Sequence, residues 1–354
     1  VIIDTLKLLL SSGSDIYMQE DSENSNSIIL RSIGSAVSVE CTIPGKIKGS
    51  MRISAEKFSS MLSAMPNYDK VIFSGGKITL KSDNMSRTFV AMPASDFPEV
   101  TTSDQIWKSD VKIAELSALL TQASIFTTKA TDYFTGYVSI EGGVVFASDR
   151  FSLFAAKTDV GIQTLIPSEH IRLIASLKSL DQSVEFSEHS TYTMISGERY
   201  KARLSKHYAG VTIPSYSGLL DKSGMVKNLD IKNEKDRIFT DFSEIKESAN
   251  HCYSLFGSDE YAYTNIRSDG SKIEINAMSN SRGGDEFRST HECSGPPFSI
   301  KANPRLISRA ISSVRDVAYM AIDGINNLYF FNGRGRLCMA APMLEKKVDD
   351  VRID

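Results

Sequence analysis

A chain of 354 residues, 41% hydrophobic and 23% charged, is long enough for two or three domains and too apolar for a disordered protein. Its 40 basic and 43 acidic side chains leave a net charge of −3 and a pI near 6.0, which excludes a uniformly basic nucleic-acid binder but not a locally basic face. No run approaches the ~18–20 apolar residues of a membrane span, and no charged-then-apolar leader opens the chain. The four cysteines, Cys41, Cys252, Cys293 and Cys338, are scattered without a C-x-x-C and read as reduced thiols. These features predict a cytoplasmic protein.

In chain order, Ile3, Leu6 and Leu10 at i, i+3, i+7 predict an opening helix. Met51-Arg52-Ile53 reads as a strand leading to Ser54, the N-cap of a helix with Phe58, Met61, Leu62 and Met65 on one face. Pro66-Asn67 ends it, and strands follow at Val71-Ile72-Phe73, Ile78-Thr79-Leu80 and Thr88-Phe89-Val90. After Asp110, Ile113, Leu116 and Leu120 predict a second helix of the opening type. Gly142-Gly143 between two apolar runs reads as a hairpin turn. Leu165-Ile166 and Pro167-Ser168 then lead into a helix with Leu173, Ile174, Leu177 and Leu180 on one face, followed by strands around Val184, Tyr192 and Tyr200. After Ser243, Ile245, Ala249 and Cys252 repeat the first helix type. Phe298-Ser299-Ile300, the cap Asn303 and Pro304 open a helix with Ile307, Ala310, Ile311 and Val314 on its apolar face. Strands at Val317 to Ile322, Leu328 to Phe331 and Leu337 to Ala340 complete the series, with Gly333-Arg334-Gly335 as a turn.

The same unit therefore occurs three times: a helix, strands, a capped helix and more strands. Matching caps lie 114 residues apart (Ser54 to Ser168) and 135 apart (Ser168 to Asn303), the periods of whole domains. We place domains at 1–103, 104–222 and 223–354, of α+β class, with helices packed on one side of antiparallel sheets.

The catalytic inventory is thin. His170, His189, His207, His251 and His291 show no H-x-x-x-H or H-E-x-x-H spacing. His291 and Cys293 form an H-x-C without a second ligand pair, and read as neighbours on one strand face. There is no P-loop, no G-x-G-x-x-G after a strand and no G-x-S-x-G elbow. The expectation is a protein that is not an enzyme, needs no metal or cofactor, and works through shape and surfaces.

Three such units resemble the bacterial DNA polymerase III beta subunit family, the sliding clamps. Met92-Pro93-Ala94-Ser95-Asp96-Phe97-Pro98 is similar to the family's L-P-A-x-D-F-P. Phe134-Thr135-Gly136, followed by Val145-Phe146-Ala147-Ser148-Asp149-Arg150-Phe151-Ser152-Leu153, resembles L-N-G and V-A-T-D-G-H-R-L. Ile166-Pro167-Ser168, Ala202-Arg203-Leu204 and Ile213-Pro214-Ser215-Tyr216 are similar to its V-P-R-K, S-x-L and F-P-D-Y blocks. Cys338-Met339-Ala340-Ala341-Pro342-Met343 resembles its Y-V-V-M-P-M ending. The blocks run in family order over nearly the whole chain. Departures include Ser152 for the motif arginine, Ser168-Glu169 for the basic pair, a first strand missing before Val1, and a tail from Leu344 to Asp354. A divergent member is expected.

The resemblance implies three DNA-clamp domains per subunit, and two subunits joined head to tail in a ring. The ring encircles duplex DNA without reading its sequence and tethers a replicative DNA polymerase, with a clamp loader and other motif-bearing proteins as further partners and no role for a membrane. Helices would line the hole and present Lys7, Lys57, Lys112, Arg172, Lys178, Lys246, Arg305 and Arg309 to DNA. A pocket for partner peptides ending in hydrophobic residues would be walled by Phe134, Ser148, Arg150, Phe151, Leu153, Pro214, Leu219, Met339, Ala341, Pro342 and Met343. Edge strands carrying Phe89 on one side and Leu255-Phe256 on the other would form the joint between subunits. The rival expectations are a repeated α+β scaffold that does not encircle DNA, and a hydrolase assembled around His170 or His251.

Overall fold

The computed structural model describes residues 2–68, 70–99, 103–129, 134–206, 218, 220, 226–256, 263–279 and 285–343. Among them no helix is long and apolar enough to cross a membrane. The first repeat runs α1 (Ile2–Lys7), β1 (Asp15–Glu20), β2 (Ser27–Ile33), β3 (Val37–Pro44), β4 (Met51–Ser54), α2 (Ala55–Ala64), β5 (Lys70–Ser74), β6 (Lys77–Lys81), β7 (Ser86–Val90) and β8 (Met92–Pro93). The middle repeat runs β9 (Gln105–Lys112), α3 (Ile113–Ser124), β10 (Tyr137–Glu141), β11 (Val144–Ser148), β12 (Ser152–Lys157), β13 (Thr164–Pro167), α4 (Ile171–Leu177), β14 (Ser183–His189), β15 (Tyr192–Ser196) and β16 (Tyr200–Ser205). The last runs β17 (Val226–Lys227), β18 (Asp230–Ile231), β19 (Phe239–Thr240), α5 (Phe242–Phe256), β20 (Tyr263–Ser268), β21 (Lys272–Ser279), β22 (Asp285–Ser294), β23 (Phe298–Ala302), α6 (Pro304–Ser313), β24 (Tyr319–Ile322), β25 (Leu328–Phe331) and β26 (Arg336–Ala340).

Local chemistry explains the outer two capped helices. The Ser54 hydroxyl accepts from the Lys57 N–H at 3.4 Å, and Asn303 Oδ1 accepts from the Arg305 N–H at 2.9 Å, with Pro304 in the first turn. The middle copy differs. A 3-10 turn over Ser168–His170 precedes α4, whose N-cap residue His170 makes no side-chain cap hydrogen bond. Gly142 and Gly143, at φ 56° and 73°, turn β10 into β11 in the left-handed region that a two-residue hairpin demands.

The chain packs as two compact units, Val1–Thr121 with Val160–Val211, and Gln122–Asp159 with Thr212–Asp354. The middle repeat contributes to both. In the first unit β8-β4-β1-β2-β3-β16-β15-β14-β9 form one nine-stranded sheet. Its centre joins two repeats, with Val39 opposite Ala202 and Glu40 opposite Lys201. Burial alternates along β1 and β3, so one face is dry, and Phe58, Met61 and Leu62 of α2 are buried as well. A separate sheet, β5-β6-β7, ends in β7.

In the second unit β10, β11, β12, β26, β25 and β24 follow one another in a sheet. Here β12 of the middle repeat pairs with β26 of the last, Leu153 opposite Met339 and Phe154 opposite Cys338. Leu153 lies in a core with Phe146, Leu220, Tyr319, Phe331 and Leu337, and Met339 packs against it. A second sheet has the order β19-β22-β21-β20-β23. Helices α5 and α6 pack on each other, and α6 also packs on β12 and β26.

Candidate partner-peptide site and charged surfaces

The turn joining β11 to β12 is held by one carboxylate. Asp149 Oδ1 accepts from the N–H groups of Phe151 and Ser152 at 3.0 and 2.7 Å, and from the Ser152 hydroxyl at 3.0 Å. The buried Ser148 hydroxyl donates to the Ser152 carbonyl at 2.9 Å and accepts from the Arg150 N–H at 3.2 Å. Arg150 takes a left-handed φ of 79°, a conformation that non-glycine residues adopt at a cost. The result is that Phe151 points outward, 64% exposed, while Leu153 two residues on is in the core.

The β12–β26 pairing brings the C-terminal wall to this turn. The Ala341 N–H donates to the Phe151 carbonyl at 2.8 Å, Pro342 bridges to Ala302, and the Met343 N–H donates to the Lys301 carbonyl at 2.7 Å. Ala341, Pro342, Met343 and Met339 are all half-buried, as is Phe134. Of the predicted wall, Ser148, Arg150, Phe151, Leu153, Met339, Ala341, Pro342 and Met343 are thus held at one seam. Leu153 faces the core beneath it. Pro214 and Leu219 lie outside the described residues, as does the tail from Leu344.

The predicted DNA-facing residues separate into groups. Lys7, Lys57, Arg172, Lys178, Lys246 and Arg305 are exposed on helices or, for Lys178, at a helix C-cap. Lys7 pairs with Asp4 at 3.1 Å, which holds that carboxyl below its ordinary value. Lys112 is exposed but ends strand β9, opposite Ser183, because the helix starts one residue later. Arg309 does not face solvent with Arg305. Its guanidinium pairs with Asp149, donates to the Ser152 hydroxyl and to the Ile125 carbonyl (3.2 Å), and lies 5.1 Å from the Phe126 ring centroid. The helical wheel misplaces it because α6 is enclosed on two sides, by α5 and by β12 and β26. Sequence reading missed Arg315, exposed just beyond α6 on a cavity of about 590 Å³ that Lys246 also lines.

The predicted joint needs one correction. Thr88-Phe89-Val90 is in β7 at a sheet edge, with Phe89 buried and Val90 60% exposed. Leu255 and Phe256 are not on a strand. They end α5, whose buried stripe Ile245, Ala249 and Cys252 continues to Phe256 at the next i+4 step. The sheet of the last repeat ends in β19 and β23, with β22 beside the two-residue β19. β22 meets β19 only through Cys293 and Ser294, so the outer side of its first eight residues has no strand partner among the described residues.

A Ser–His–Glu chain does form, around His291 rather than His170 or His251. His291 Nε2 lies 3.0 Å from the hydroxyls of Ser248 and Ser289, and Nδ1 lies 3.1 Å from Glu244 Oε2. Ser248 is only 5% exposed on the packed face of α5, a placement suited to a structural hydrogen bond rather than to a nucleophile. The chain ties α5 to β22. Among the described residues no cluster of three His, Cys, Asp or Glu side chains could hold a metal ion, and Cys293 instead lies 3.3 Å from the Ser268 hydroxyl.

Solved structures with this architecture are known. The chain is similar to a DNA polymerase sliding clamp from Pseudomonas aeruginosa with ligand, at a TM-score of 0.78 and 14% identity over 97% of each chain. It is similar to the DNA polymerase III beta subunit of Thermotoga maritima at 0.77 and 13%, covering 98% of this chain and 97% of that one. It also matches DNA polymerase III subunit beta from Borrelia burgdorferi, solved in complex with a natural product, at 0.75 and 12%, over 98% of this chain and 96% of that one. No family sequence profile and no curated protein sequence matches the chain. The protein has the α+β fold of the DNA polymerase III beta sliding clamps.

Proposed function

We propose that this protein is a DNA sliding clamp, a non-enzymatic processivity factor that encircles duplex DNA and tethers a replicative polymerase in the cytoplasm. The observation that carries the reading is clamp architecture over 97% of the chain, with the family's sequence blocks in order along it. The three repeats, 1–103, 104–222 and 223–354, act as the clamp domains, and two copies join head to tail into a ring. A ring holds DNA by topology, so it needs only a mildly basic lining, and a net charge of −3 is compatible with that. Lys7, Lys57, Arg172, Lys178, Lys246 and Arg305 supply the lining, joined by Arg315.

The seam around Phe151, Met339 and Pro342 receives hydrophobic-ended peptides of the polymerase, the clamp loader and other partners. An exposed aromatic next to half-buried methionines offers the apolar anchor such motifs need. Between subunits, β7 of one copy pairs with the outer edge of β22 of the other, so neither edge stays open.

The test loads the protein on nicked circular duplex with a clamp loader and compares retention before and after linearisation. Retention on circles, release from linear ends and a solution mass of about 78 kDa, twice the chain mass of 39.0 kDa, are expected. Equal retention on both forms, or a monomer without DNA association, sinks the reading and favours a scaffold that does not encircle DNA.

A further inference from the structure

We infer that Arg309 is a positioning residue of the partner-peptide site, an inference that rests on the peptide-binding reading above. Both oxygens of Asp149 are committed. Oδ1 caps the turn through Phe151 and Ser152, and Oδ2 takes the Arg309 guanidinium. The arginine side chain is 15% exposed and the aspartate 11%, so the pair is largely withdrawn from solvent and losing one partner leaves the other poorly solvated. The same guanidinium reaches the Ser152 hydroxyl and the Ile125 carbonyl, which fixes it from three directions.

Everything on the outer side of the turn depends on that arrangement. Arg150 is held at a left-handed φ, which persists only where the surroundings over-determine it. Phe151 is thereby presented to solvent at a fixed place, and its carbonyl fixes Ala341. The motif that the turn resembles, T-D-G-H-R-L, carries an arginine where Ser152 stands. In this chain a guanidinium arrives from α6 behind the turn and meets the serine. The basic group has moved from the turn to its support, so Arg309 acts on the peptide through Phe151 and Ala341 and does not touch it.

The experiment is fluorescence anisotropy on the full chain, with a fluorescein-labelled peptide ending in Leu-Phe. Arg309→Met keeps an aliphatic stem over Phe126 and removes the guanidinium. Pairing it with Asp149→Asn leaves no unpaired buried charge, so the double variant separates lost positioning from lost stability. The Kd is expected to rise about tenfold or more in both. Arg309→Lys recovers only part of the affinity, because one compact nitrogen cannot span the separate acceptors that the two guanidinium nitrogens reach. Amide exchange at Phe151 and Ser152 is expected to rise about tenfold in parallel. A folded double variant that binds the peptide within about twofold of the parent overturns the inference. Phe151→Ala separates it from the parent reading: loss there with full binding by the Arg309 variants removes only the positioning role, whereas no binding by the unaltered chain removes both.

Discussion

Leu153 lies opposite Met339 across the β12–β26 pairing, one side chain in the core and the other half-buried beside the turn that exposes Phe151. Two repeats thus share one sheet, and the surface that partners are proposed to read is the end of that shared sheet. Stability and recognition therefore reside in adjacent residues with opposite exposures.

Phe154 and Phe151 should separate the two roles. Phe154 is fully buried, with its ring centroid 5.8 Å from that of Phe126. Phe154→Ala is expected to cost ~3–5 kcal/mol in urea denaturation, through lost transfer energy and the cavity left behind. Phe151→Ala should stay within ~0.5 kcal/mol of the parent, yet abolish binding of a Leu-Phe-terminated peptide. Equal destabilisation by both would mean that Phe151 is packed in solution.

Arg305 and Arg309 share one helix and should differ in salt response. Arg305 is exposed, whereas Arg309 is committed to Asp149. Arg305→Ala should lower the log–log salt slope of duplex binding by about one phosphate contact, and Arg309→Met should leave it unchanged. The check is a salt titration of binding to a short duplex. A loss of slope in the Arg309 variant would place that side chain on DNA after all.

What the sequence made legible was mostly local. The caps Ser54 and Asn303, the apolar faces of α2 and α6 and the Gly142-Gly143 hairpin all depend on residues within one or two turns of each other. Phe256 is readable too, as the next step of the stripe Ile245, Ala249, Cys252, although the apolar pair Leu255-Phe256 taken alone reads as an edge strand. Non-local pairings carried no such signal. Alternation along β3 or β12 shows that one face is buried, but not that β16 or β26 lies alongside. Arg309 is the clearest case: a helical wheel gives its angle about α6, but not that a second surface covers that angle.

The thiols should report the packing through pH. Burial pushes Cys252 up to about 11 and also raises Cys41 and Cys338, while Cys293 is the partly exposed thiol of the four. At pH 8 a maleimide should label Cys293 first, and the other three only after denaturation. For the buried thiols the folded value lies above the unfolded one, near 9.0. The Cys252 contribution is therefore fully present below about pH 9 and is lost as pH rises through about 11, because the unfolded chain gives up its proton first; Cys41 and Cys338 act in the same direction. Tm should be flat from about pH 7 to 9 and fall beyond it. A native chain that labels all four thiols at once would contradict the buried placements.

The proposed joint can be tested at Val90 without disturbing the core. On β7 the inward residue is Phe89, opposite Ile78, and the outward one is Val90, opposite Lys77. Phe89→Ala would remove a buried ring and cost ~3–5 kcal/mol, confounding folding with assembly. Val90→Asp changes a side chain that the subunit itself leaves exposed, so the monomer fold should hold. In the assembled ring that position lies within the strand pair with β22, whose exposed face carries Glu286, Glu292 and, between them, Arg288 paired with Glu286. A carboxylate placed there loses apolar contact and must be desolvated within the pairing, each of which weakens it. Sedimentation at micromolar concentration should therefore give about 39 kDa for the variant, the mass of one chain, against about 78 kDa for the parent. Retention on circular DNA should fall with it. A variant that remains a dimer would place the joint on another edge, and the proposed pairing of β7 with β22 would be wrong.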